Sequence, residues 1–183
     1  PPPAAFMEAY KKAAADGEKV IGIMVSSKLS GTFASAEAAA KRFDDDTEIH
    51  LFDSKGASLT QGFLTLRAAE LAELGTPPAK ILEELSKIRS RSGVMFTVAV
   101  FDNLLASGRV GRGQVMIAGL LDIKPILEIK PDGTVAPVTK VRGKKNVIPR
   151  MIQLVNDRVP TTANVRFGIV HVAAEETAQE VAA

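Results

Sequence analysis

At 183 residues, with 46% hydrophobic side chains, the chain is long enough to bury a core as one domain or as two small ones. A formal charge of +2 is too small to argue for nucleic acid, and the lack of any cysteine excludes disulfides and thiolate metal sites, which fits a reducing compartment. No apolar run reaches the roughly 18 to 20 residues that span a bilayer, and Pro1-Pro2-Pro3 is unlike a signal peptide, so the reading is cytoplasmic, and a chain without an initiator Met is read as starting inside a longer protein.

The first helix is predicted over residues 4–15, with Phe6, Met7 and Tyr10 on one face and Asp16-Gly17 as its C-terminal stop. Val20-Ile21-Gly22-Ile23-Met24 then reads as a strand. It runs through the hydroxyl- and glycine-rich turn Ser26-Ser27-Lys28-Leu29-Ser30-Gly31 into a helix over 32–43, paced by Phe33, Ala36, Ala40 and Phe43. Asp44-Asp45-Asp46 forms a solvated loop, and 48–52 is a second strand ending at Asp53-Ser54. A long helix follows through Phe63, Leu66 and Leu74 to Gly75. Strand, polar turn and helix occur twice, which favours a parallel sheet with helices packed on it.

Thr76-Pro77 reads as an N-cap followed by proline in the first helical position, with Ile81, Leu82, Leu85 and Ile88 lining the helix that ends at Ser92-Gly93. The pattern then changes. An apolar run covers 94–101, and strand-like segments over 126–142 flank Pro131-Asp132-Gly133-Thr134, a hairpin signal that implies antiparallel pairing. Pro137 must sit on an edge strand or at a bulge. A helix over 146–158, a strand over 165–172 and a last helix complete the chain. The fold class is therefore α/β with two domains, 1–92 with a mostly parallel sheet and flanking helices, and 93–183 as an α+β domain with a largely antiparallel sheet.

At the first strand-to-helix junction the unpaired N–H groups and positive dipole end let Ser30, Gly31 and Thr32 hold an anionic oxygen; the same residues also suit a plain N-cap and turn. Ala106-Ser107-Gly108-Arg109-Val110-Gly111-Arg112-Gly113 offers guanidiniums and glycine backbone to an anion, yet matches neither a Walker A loop nor the dinucleotide fingerprint, and also reads as a helix start with solvated arginines. Lys140-Val141-Arg142-Gly143-Lys144-Lys145 is a basic run at a strand end, of a kind that is commonly a solvated face. Asp53 suits either catalysis or a cap on the next helix, and His50 and His171 have no spacing for metal. Ser58 breaks the nucleophile-elbow pattern at its final glycine, and neither a Ser-His-Asp set nor an acid/base carboxylate pair stands out.

Taken in order, Ser26-Ser27-Lys28-Leu29-Ser30-Gly31-Thr32-Phe33, Asp53-Ser54 with Ala57-Ser58, Gly108-Arg109-Val110-Gly111, Leu-Leu-Asp-Ile-Lys-Pro-Ile-Leu over 120–127, Asp132-Gly133 and Lys140-Val141-Arg142-Gly143 resemble the DegV family. The resemblance implies a bacterial fatty-acid-binding protein, in several cases the non-catalytic substrate-binding subunit of a two-component fatty acid kinase. It implies no cofactor and no metal, only a long-chain fatty acid buried between two domains and an ATP-using kinase subunit as partner for acyl phosphate formation. The Ser30 hydroxyl would hold the carboxyl, with Gly31 and Thr32 shaping its pocket and Ser27 also ligand-binding; Arg109, a ligand-binding residue, and Arg142 would both lie near the carboxyl end and serve phosphoryl transfer or kinase docking, Lys140 joining Arg142 in docking. The family's Thr-Ser-Gln segment, first strand and C-terminal histidine- and glycine-rich strand are not matched, so the resemblance is to a DegV protein truncated at both ends.

The rivals are a lipid binder without a kinase role, a serine hydrolase or phosphatase using Ser30, and a nucleic-acid binder using the run at 140–145, which would bind in a salt-sensitive way. The carrier reading includes transient membrane contact to exchange lipid.

Overall fold

The computed structural model describes residues 1–15, 19–43, 47–110 and 122–182. Asp16-Gly17, the acidic run at 44–46, Gly111-Arg112-Gly113 and Leu120-Leu121 lie outside the described residues. The chain divides into two compact units, Pro1–Val94 with Lys130–Thr134, and Met95–Ile129 with Val135–Ala183.

In the first unit, β1 (Val20–Met24) and β2 (Ile49–Asp53) pair in parallel, in register from Val20 opposite Ile49 to Met24 opposite Asp53. α2 (Thr32–Ala40) is the crossover that such a pair requires. Successive strand side chains point to opposite faces, and the apolar clusters follow that alternation. Ile21, Ile23 and Phe52 pack with Leu64, Ala68, Ile81 and Leu85 of α3 (Leu59–Glu73) and α4 (Pro78–Ser90). Val20, Ile49 and Leu51 pack instead with Tyr10 of α1 (Pro3–Ala13) and Ala39 of α2. Helices therefore cover both faces of the strands, which explains why β1 reads as a continuous apolar run. Burial raises the Tyr10 pKa, and its hydroxyl donates to the Ala36 carbonyl at 3.0 Å.

The second unit carries a three-stranded sheet in the order β3 (Val94–Thr97), β4 (Ile123–Ile129), β5 (Val135–Arg142). β4 and β5 form the expected antiparallel hairpin, and the register shifts between Ile126 and Leu127. Pro137 lies at that irregularity on an edge strand, where a residue without an N–H is tolerated. Among the described residues this unit also holds α5 (Phe101–Ala106), α6 (Val147–Arg158) after a 3₁₀ turn at 144–146, and α7 (Glu175–Ala182).

α3 buries Leu64 and Ala68, while Leu66 and Leu74 are exposed, at 54% and 78%. Two expectations are corrected. The helix after Gly75 begins one residue later than expected: Pro77 is its N-cap and Pro78 its first residue, while the Thr76 N–H closes the preceding turn on the Leu71 carbonyl. Residues 165–172 form no strand. Val165, Phe167, Ile169, Val170 and Val172 are all exposed there, since a β-prone segment becomes a strand only where a neighbour supplies ladder partners.

Candidate functional site

Parallel strands deliver their following loops to the same end of the sheet, the usual location of ligand sites in open α/β folds. The β1–α2 and β2–α3 loops meet there, tied by the Ser54 N–H on the Met24 carbonyl at 3.0 Å and the Ser26 N–H on the Gly56 carbonyl at 2.8 Å. This brings together Ser27, Ser30, Gly31 and Thr32, the four residues expected in the first unit.

Ser30 is not the N-cap of α2. That position belongs to Gly31, which makes no side-chain cap, and its φ of −67° does not demand glycine. What glycine leaves is room, because beyond its chain neighbours no described atom lies within 4 Å of where a Cβ would stand. The Ser30 Oγ lies 2.8 Å from the Thr32 Oγ1 and accepts from the Thr32 N–H at 3.3 Å. One hydroxyl proton serves the contact between the two side chains, which leaves the other to donate outward. The first α2 bond runs from the Ser35 N–H to the Gly31 carbonyl, so the N–H groups of Phe33 and Ala34 have no intrahelical acceptor. A hydroxyl donor beside helix-end amides is suited to an acid oxygen.

Asp53 neither caps α3 nor stands alone. Its carboxylate accepts from the Ser27 hydroxyl at 2.6 Å, the Ser27 N–H at 3.3 Å and the Lys55 N–H at 2.8 Å. Ser27 thus spends its proton on Asp53 and keeps only lone pairs for a ligand. The Arg89 guanidinium donates to the Asp53 carbonyl at 2.6 Å and stands over the Phe52 ring, which fixes the end of β2 to α4. Ser58, discounted on its sequence pattern, stands just before α3 at φ 56° and ψ −129°, a conformation that a non-glycine residue adopts only when its surroundings impose it. The signal was the strand, short glycine-bearing turn and helix around it.

The cationic candidates lie in the second unit. Arg109 is exposed, its guanidinium donating to the Ser107 carbonyl, and the next residue, Val110, bridges to Val135 at the start of β5. Lys140 and Arg142 are exposed two residues apart at the other end of β5, so they share a face. Roughly 20 Å of strand separates that end from Val135, at ~3.3 Å per residue. The structure therefore brings Lys140 and Arg142 together and leaves Arg109 at the opposite end of the strand. Arg142 and Gly143 lead into the 3₁₀ turn, where the Asn146 amide donates to the Arg142 carbonyl at 2.8 Å.

Sequence reasoning also missed Ser26 and Gly133. The turn Lys130–Thr134 belongs to the first unit, and the Ser26 hydroxyl donates to the Gly133 carbonyl at 2.8 Å across 107 residues of chain. Asp132 braces this turn by accepting from the Thr134 hydroxyl and N–H, which with nearby Lys130 brings its pKa down to about 2. Among the described residues no group of His, Asp and Glu is placed to hold a metal, and no helix is long and apolar enough to cross a membrane. An open groove of about 260 Å³ at the end of α6, lined by Asn156, Val159 and Phe167 among others, includes none of the expected site residues.

A family model described as "Uncharacterised protein, DegV family" matches residues 1–183. Protein DegV of Bacillus subtilis (strain 168) is 33% identical over 182 residues, which is 99% of this chain and 64% of that protein. Among solved structures, a DegV family protein from Ruminococcus gnavus, refined with vaccenic acid, is similar at a TM-score of 0.89 and 28% identity, covering 100% of this chain and 65% of its own. A DegV family protein from Thermus thermophilus, described for its fatty acid binding, is similar at a TM-score of 0.76 and 34% identity, covering 86% of this chain and 55% of its own. The chain thus spans less than two thirds of the length of each of these relatives. The match along the whole chain, together with the α/β fold, leads to one conclusion: the chain belongs to the DegV family.

Proposed function

We propose that the chain binds a long-chain fatty acid, fixes the acid group at the β1–α2 turn, and presents it to a separate ATP-using kinase subunit that forms the acyl phosphate. The observation that carries the reading is the Ser30 and Thr32 hydroxyl pair, 2.8 Å apart at the start of α2, with helix-end amides beside it. The relatives from Ruminococcus gnavus and Thermus thermophilus, described with a fatty acid, support the same ligand class.

The energetics divide between tail and head. At ~0.8 kcal/mol per buried CH₂, a long acyl chain gains on the order of 10 kcal/mol before the costs of immobilisation. The head needs only orientation. A Ser30 or Thr32 hydroxyl and an α2 amide would hold one acid oxygen and leave the other to attack the terminal phosphorus of ATP, with ADP as leaving group. Arg109 is assigned to the head-group end, and Lys140 with Arg142 to kinase docking. Residues 1–92 and 93–183 act as the two domains of this carrier, working in the cytoplasm with transient membrane contact to exchange lipid. A hydrolase reading has no base placed for it among the described residues: the Ser30 hydroxyl bonds to Thr32 and to no histidine or carboxylate.

Mass spectrometry of an organic extract of the purified protein tests the ligand, and a fatty acid near equimolar amount is expected. A protein that carries no lipid and takes none up from a fatty-acid mixture ends the proposal. The kinase role is tested separately, by acyl phosphate formation with ATP and a kinase subunit of the two-component type. Turnover of Ser30→Ala equal to that of the unchanged chain removes Ser30 from the mechanism.

A further inference from the structure

We infer that Ser26 and the Lys130–Thr134 turn together are the positioning device for the Ser30 hydroxyl, so that the geometry of the acid-binding turn is set by a segment about a hundred residues away in the chain. Ser26 is fully buried, two residues beyond β1. Its N–H donates to the Gly56 carbonyl, and its own carbonyl accepts from the Leu29 N–H at 3.0 Å and the Ser30 N–H at 3.1 Å, forming the single turn that ends at Ser30. Its hydroxyl accepts from the Lys28 N–H at 3.2 Å and donates to the Gly133 carbonyl. Every polar atom of Ser26 is thus committed either to the acid-binding turn or to what braces it.

Gly133 is built for this contact. Its φ of +89° closes the hairpin turn, with its N–H on the Lys130 carbonyl at 2.8 Å. A Cβ there would collide with the Ser26 Oγ and come within 3.4 Å of the Lys55 Cα. Loss of either partner leaves a buried polar group without its bond, and the neighbouring Leu29 and Ser30 amides are the first to respond.

The inference rests on the proposed function only for its ligand, so the test has one readout that needs none. Hydrogen exchange of the purified protein and of Ser26→Ala, Gly133→Ala and the double variant is followed at Leu29 and Ser30, with the α3 and α4 amides as internal reference. Affinity for cis-parinaric acid is measured alongside. Ser26→Ala is expected to speed exchange at Leu29 and Ser30 about tenfold with α3 and α4 unchanged, and to weaken cis-parinaric acid by a similar factor. Gly133→Ala should do the same alone but, at Leu29 and Ser30, add less than about twofold to Ser26→Ala, because the Oγ it displaces is then gone and the strain that remains at its positive φ falls on the hairpin turn itself. Unchanged exchange at Leu29 and Ser30, or effects of the two substitutions that simply multiply, overturns the inference. If the unchanged chain takes no fatty acid, the ligand reading fails by itself and the exchange pattern still decides. Should Ser26→Ala not fold, Asp132→Ala loosens the same turn from an exposed position and is read the same way.

Discussion

The two units are held by different means. Both apolar clusters, around Leu64, Ile81 and Leu85 and around Tyr10 and Ala39, are built from residues of the first unit, which packs helices on both faces of its parallel strands. In the second unit, apolar burial centres on the β4–β5 hairpin with Val110 and Val147, while residues 165–172 leave Phe167 and Val172 65% and 92% exposed. Their polar groups differ in the same sense. The hydroxyls at 26–32 bond to backbone, to Asp53 or to one another, whereas Lys140 and Arg142 stand exposed on an edge strand. A turn resting on a packed three-layer unit can hold a small acid group in one geometry, and long exposed cations act by charge over a distance.

The largest expected effect tests the packing side of this contrast. Leu85→Ala should cost about 2–5 kcal/mol in chemical denaturation, because Leu85 is fully buried and leaves a cavity. A cost below about 1 kcal/mol would mean the first unit is not the more tightly packed one. Next, Ser30→Ala should weaken fatty-acid binding about tenfold, the loss of one hydrogen bond to a charged group, with the melting temperature nearly unchanged; equal affinity would remove the hydroxyl from the site. Replacing Lys140 and Arg142 with alanine should leave fatty-acid affinity within about twofold and flatten the salt dependence of association with the proposed kinase subunit. Phe167→Ser should change stability by no more than about 0.5 kcal/mol, as at an ordinary exposed position. A larger loss would show that residues 165–172 are covered in solution.

The smallest effect is a pH dependence confined to the hairpin turn. Asp132 is depressed to about 2 from an ordinary value near 3.8, so the folded state favours its charged form. Its contribution is fully present above about pH 4 and is lost as pH falls through 2. The Thr134 amide should therefore exchange faster in acid than in Asp132→Asn measured relative to its own neutral value; parallel profiles would show that the carboxylate does not brace the turn.

Much of the local order follows from neighbouring residues. The apolar run at Val20–Met24, the spacing of Ile81, Leu82, Leu85 and Ile88, and the Pro131-Asp132-Gly133 turn each carry their conformation in a few adjacent side chains, and each forms as expected. The motifs at 26–33, 53–58 and 140–143 likewise name the family before any packing is considered. Legibility failed where the deciding partner is remote. Whether 165–172 becomes a strand depends on a neighbour that those residues do not encode, and which leucines of α3 are buried, Leu64 rather than Leu66, is selected by α4 and β2.

By itself, then, the sequence determined the order and type of most elements, the residues of the hydroxyl turn and the family, because periodicity and turn chemistry act over a few residues. Only the tertiary structure decided that Asp53 serves Ser27, that Gly31 rather than Ser30 is the N-cap of α2, and that Ser26 rests on Gly133. Those are hydrogen bonds between groups that chain closure brings together, and nothing within a short window of sequence distinguishes the serine that will find such a partner from the one that will not.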